Sequence, residues 1–80
     1  MSNDTIWKSL GDVIEEVLGR RVELRPETTA ADVEGWDSVV HIMLVLASER
    51  KFGVRFESSE IASAANVGEF VSLVESKLNR

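Results

Sequence analysis

An apolar residue recurs every three or four positions from Ile6 through Leu10, Val13, Ile14 and Val17 to Leu18. At 3.6 residues per turn these side chains share one face, so the spacing predicts a helix from about Asp4 to Leu18. Asp12, Glu15 and Glu16 then fall on its wet side. Gly19 follows the last apolar residue, where a left-handed C-cap is expected. Arg20 and Arg21 suit the negative end of the helix dipole. A helix with one apolar stripe must bury it against other elements, and the rest of the chain has to supply them.

Residues 20–36 show no sustained period and contain Pro26, Thr28, Thr29 and Gly35. A connection of this length is unusual in a chain of 80 residues. It implies a functional loop or one pinned by its own side chains, with Val22, Leu24 and Val33 as the expected pins. A second helix is predicted from Asp37 or Ser38 to about Lys51, with Gly53 as its stop signal. Val39, Val40, Ile42, Met43, Leu44, Val45 and Leu46 make it apolar almost all round. Such a helix is either central or offers an apolar face to a partner. A buried strand is the competing reading of this run. The polar flank of Ser48, Glu49, Arg50 and Lys51, and the lack of a second strand to pair with it, favour the helix. Of the apolar residues, Ile42, Leu44 and Val45 are expected in the core.

Val54 and Phe56 pack the next connection, and Ser58 or Ser59 is expected to cap a short helix carrying Ile61. Asn66 with Glu69 three residues on resembles a capping box. It opens a last helix striped by Val67, Phe70, Val71, Val74 and Leu78. The fold class expected is all-α, a small four-helix bundle over residues 1–80 as one domain. Three helices are longer and one is short, with a long loop between the first two.

A domain of this size buries only about 60% of its unfolded surface, which leaves little core for an enclosed active site. Cysteine is absent, so disulfides and cysteine-based metal sites are excluded. No apolar run reaches membrane-spanning length, and Met1 to Thr5 carry no signal-peptide pattern, so a cytoplasmic protein without a membrane role is expected. Residues 1–40 hold nine acidic and four basic side chains, and residues 41–80 hold five of each. That balance disfavours nucleic acid and suits basic protein partners.

The informative stretch is Gly35-Trp36-Asp37-Ser38-Val39, followed by the apolar helix and Phe52-Gly53-Val54. Taken alone, Ser38 and Asp37 read as N-cap residues, and Trp36 reads as a loop anchor on the bundle. His41, three residues after Ser38, allows a Ser–His hydrolytic pair on one helix face, but no orienting acid or oxyanion hole is evident. Asp32, Glu34 and Asp37 lack calcium-loop spacing and read as solvated charges that attract a basic partner; no metal site is expected.

Asp-Ser-hydrophobic at the start of the second helix, with Phe-Gly-Val beyond it and Asn-Val opening the last helix, resembles the acyl and peptidyl carrier protein family over essentially the whole chain. The resemblance implies a non-catalytic carrier. A phosphopantetheinyl transferase would join coenzyme A's 4′-phosphopantetheine to Ser38, with Trp36, Asp37 and Val39 forming the recognition motif. The arm would ferry acyl or aminoacyl thioesters between separate enzymes. These are an acyl-loading or adenylating enzyme and a ketosynthase, condensation or acyltransferase enzyme. A monomer is expected. Trp36 at this spot tilts the reading from fatty-acid synthesis toward polyketide, non-ribosomal peptide or related pathways. The family's second helix docks partners, and in the fatty-acid type that face is acidic. Here the matching face offers Val40, Met43, Leu46, Glu49 and Arg50, so apolar docking is expected. The alternative is an interaction module with the same fold and no arm.

Overall fold

In a computed structural model, which describes residues 3–79, the chain forms four α-helices and a single 3-10 turn. Helix α1 spans Asn3–Leu18, α2 Ser38–Phe52, α3 Ser58–Ser63 and α4 Val67–Leu78, with the 3-10 turn at Ala30–Asp32. No strand occurs among the described residues, as the all-α expectation requires. Ile6, Leu10, Val13 and Ile14 of α1 are buried against Leu44 and Phe52 of α2 and Val67, Val71 and Val74 of α4. Helix α1 is thus the element both other long helices share, as its single clean stripe predicts.

The helix ends follow local chemistry. Gly19 takes φ 78° and donates its N–H to the Glu15 carbonyl at 2.8 Å. Gly53 takes φ 67° and closes α2 in the same left-handed way. Both conformations strain a residue with a Cβ, which explains glycine at these two stops. The arginines after α1 turn elsewhere than to its last carbonyls. Arg20 donates to the Glu34 carbonyl, and Arg21 pairs with Asp12 at 3.4 Å and Glu15 at 3.7 Å. At α3 the cap is Glu57 rather than Ser58 or Ser59. The Glu60 carboxylate accepts the Glu57 N–H at 2.9 Å and also meets Lys77 of α4 at 2.8 Å, which ties the short helix to the end of the bundle.

The long connection is pinned by more than its apolar residues. Val33 is buried, and Val22 and Leu24 pack against the core. In addition, the loop satisfies the start of α4. Val67 donates to the Thr28 carbonyl at 2.8 Å and Gly68 to the Pro26 carbonyl at 2.9 Å. The Asn66 side chain accepts the next N–H, from Glu69, at 2.9 Å. Three of the orphan donors every helix begins with are thereby paired. The Glu69 carboxylate reaches back to Ala65 rather than to Asn66, so the predicted capping box closes one residue early. A Cβ on Gly68 would stand 2.8 Å from the Pro26 carbonyl oxygen, so glycine is what lets loop and helix meet.

Candidate functional site

Asp37 is the N-cap of α2, with its carboxylate accepting the Val40 N–H at 2.9 Å and its carbonyl accepting the His41 N–H at 2.9 Å. Ser38 is the first helical residue and is exposed. The division of labour between the two is therefore resolved: Asp37 caps, and the Ser38 hydroxyl is left at the surface. The amides of Ser38 and Val39 have no intrahelical acceptor and mark the positive end of the helix. These features suit a phosphodiester on the hydroxyl. The Asp37 carboxylate beside it offsets part of the dipole's attraction, so a covalent link, not ionic capture, has to hold the group.

Trp36 is half-buried and packs against the core, the loop-anchor role expected for it. Its indole N–H donates to Nδ1 of His41 at 3.3 Å, with ring centroids 6.3 Å apart. His41 thus accepts from Trp36 at Nδ1, the nitrogen whose N–H an orienting acid would hold in a Ser–His–Asp arrangement, and the contact holds the tryptophan. Asp32 accepts the Thr29 N–H at 3.0 Å. Among the described residues no group of three or more His, Asp or Glu side chains is placed to hold a metal ion.

The remaining α2 residues sort by helical angle. Taking Ser38 as zero and 100° per residue, Val39, Ile42, Met43 and Leu46 occupy the arc from about 40° to about 140°. All four are exposed large hydrophobics. The opposite arc carries Leu44, Ser48 and Phe52, which are buried. Two expectations change, and a third residue has an added contact. Ile42 was assigned to the core and is 59% exposed. Val40, assigned to the docking face, is half-buried and packs on the core. Glu49, assigned to the same face, accepts the Phe56 N–H through its carboxylate at 2.8 Å and so secures the turn after α2. Met43 and Leu46 lie where expected.

A cavity of about 110 Å³ lies behind α2, lined by His41, Leu44, Val45 and Ser48 at the i, i+3, i+4, i+7 spacing of one helix face. Leu10 and Ile14 of α1, Val67 and Phe70 of α4, and Trp36 complete much of its wall. Sequence reasoning missed this cavity. Its signal was a serine on the helix face that also carries Leu44, where an apolar residue is the norm.

The profile of the family described as "Phosphopantetheine attachment site" matches residues 8–74. An acyl carrier protein of Acidothermus cellulolyticus is 32% identical, over 92% of this chain and 89% of its own length. One from Thermotoga maritima is 31% identical over 96% of both chains. The meromycolate extension acyl carrier protein of Mycolicibacterium aurum is 29% identical, over 92% of this chain and 77% of its own. Among solved structures, the holo acyl carrier protein from Geobacter metallireducens is similar at a TM-score of 0.86 and 31% identity, covering 91% of this chain and 85% of that one. With the match running from the first helix to the last, the chain belongs to the phosphopantetheine-attachment family of acyl carrier proteins, non-enzymatic proteins that bear 4′-phosphopantetheine covalently and work with a phosphopantetheinyl transferase and biosynthetic enzymes.

Proposed function

We propose that Ser38 is the attachment point and that the protein shuttles intermediates between separate cytoplasmic enzymes of polyketide, non-ribosomal peptide or related specialised metabolism, as a single carrier domain. The observation that carries this reading is the position of Ser38, exposed at the first residue of α2 and at the edge of that helix's apolar arc. When bound, the prosthetic group supplies a thiol on a flexible arm that holds acyl cargo as a thioester. The protein's own residues present and orient. Asp37 fixes the first turn, and the Trp36–His41 contact braces the loop before it. Val39, Ile42, Met43 and Leu46 form the docking face next to the tether. Tethering confers a high effective concentration of cargo at each docked active site.

Trp36 directly before Asp37-Ser38, together with a docking arc that is apolar rather than acidic, supports the specialised pathways over fatty-acid synthesis. Incubation with coenzyme A and a broad-specificity phosphopantetheinyl transferase tests the assignment by intact mass. Wild type gains one phosphopantetheine and Ser38→Ala gains none. A wild-type protein that stays unmodified would instead fit an interaction module built on the same fold.

A further inference from the structure

Ser48 is the one buried polar residue among the described side chains, at 0% exposure, and its hydroxyl meets no hydrogen-bond partner among them. It lines the cavity behind α2. A buried hydroxyl left without a partner is destabilising, and an apolar residue of similar size would fill the site better. The surrounding wall explains why nothing nearby relieves it. Leu10, Ile14, Leu44 and Val67 are all buried and apolar. The cavity's polar lining residues Thr28, Thr29, His41 and Asn66 make no hydrogen bond with the Ser48 hydroxyl.

The cavity has a direction. His41 and Ala65, which line it, are exposed, whereas Ser48, Leu44 and Ile14 are buried. Along α2 the lining thus passes from exposed His41 in the first turn to buried Ser48, about 10 Å further along the helix axis at 1.5 Å per residue. An apolar cavity of about 150 Å³ accommodates benzene, so about 110 Å³ holds a segment of roughly four or five non-hydrogen atoms.

We infer that Ser48 is a cargo-selecting residue: the cavity takes the end of an acyl chain that carries an oxygen, as a hydroxyl or a keto group, and Ser48 hydrogen-bonds that oxygen. The inference rests on Ser38 being the tether. It goes beyond the carrier reading by naming the chemistry of the preferred cargo. A saturated chain fills the same space but leaves Ser48 unpartnered, and an unpaired buried polar group is what lets a site reject an isosteric ligand.

The test loads ¹⁵N-labelled protein, from the corresponding coenzyme A thioesters, with hexanoyl, 3-hydroxyhexanoyl or 5-hydroxyhexanoyl arms, and confirms each product by intact mass. One of the hydroxylated arms is expected to shift the amide resonances of Leu44, Val45, Ser48 and Val67 at least twofold more than hexanoyl does. It should also raise Tm by about 4 °C more. In Ser48→Ala the preference should vanish, with hexanoyl shifting these amides as much as either hydroxylated arm. Equal shifts from all three arms in wild type would overturn the inference, as would a wild-type preference that survives in Ser48→Ala. A protein whose mass does not increase overturns the carrier reading itself and this inference with it.

Discussion

Helices α1 and α2 are nearly equal in length, 16 and 15 residues, and both are rich in apolar side chains, but they place them differently. In α1 the apolar residues form one stripe, and Ile6, Leu10, Val13 and Ile14 are buried with Trp7, Val17 and Leu18 packed beside them. In α2 the apolar residues run all round. Leu44 and Phe52 are buried, while Val39, Ile42, Met43 and Leu46 face outward. Apolar surface left in water forgoes about 25 cal/mol per Å² of burial, so four adjacent exposed side chains are not what folding alone favours. The stripe of α1 stabilises the fold. The outer arc of α2 is the face proposed above for docking, and it lies beside Ser38.

Substitutions that separate stability from docking sharpen this contrast. Leu10→Ala should have the largest effect. It removes a fully packed side chain from the shared face of α1 and should cost about 2–5 kcal/mol in urea unfolding. Domains of this size have only about 4–12 kcal/mol in total, so the variant will be partly unfolded near 37 °C. Gly68→Ala comes next, at about 1–3 kcal/mol, because its Cβ meets the Pro26 carbonyl at 2.8 Å. Hydrogen exchange at Val67 and residue 68 should accelerate with it, and unchanged exchange there would argue that the loop does not anchor α4.

Ser48→Ala should have the opposite sign, raising the stability of the unloaded protein by about 1 kcal/mol, because it deletes a buried hydroxyl that has no partner. A loss of stability would show that the hydroxyl is satisfied in solution. Ile42→Asp should change stability least, within about 0.5 kcal/mol, since the side chain is exposed. Yet it should raise the KM of a phosphopantetheinyl transferase for the protein about tenfold, the effect of losing roughly 1.4 kcal/mol of docking. If Ile42→Asp unfolds the protein instead, the two faces of α2 do not divide as described.

The sequence made much of this legible. The period from Ile6 to Leu18 gave α1 to within a residue, and Asp37, Gly19 and Gly53 gave three helix ends. Ser38 stood out by its setting. The misreadings share a cause. Ile42 and Val40 lie on a helix whose apolar residues occupy every side, so periodicity carries no information about which side faces inward. Glu57 was passed over as a cap because Ser58 and Ser59 beside it have the stronger intrinsic preference. The loop's hydrogen bonds to Val67 and Gly68 come from backbone carbonyls, which leave no mark on residue type.

By itself the sequence determined where the helices run, where they stop, and that a serine opens the second of them. Those features depend on residues within about four positions of one another, through side-chain spacing and capping. Only the tertiary structure decided which arc of α2 is covered, how the long loop clasps α4, and that Ser48 lines a small, mostly apolar cavity. Each of those depends on where α1 and α4 lie against α2, and burial is a property of that arrangement, not of any one segment.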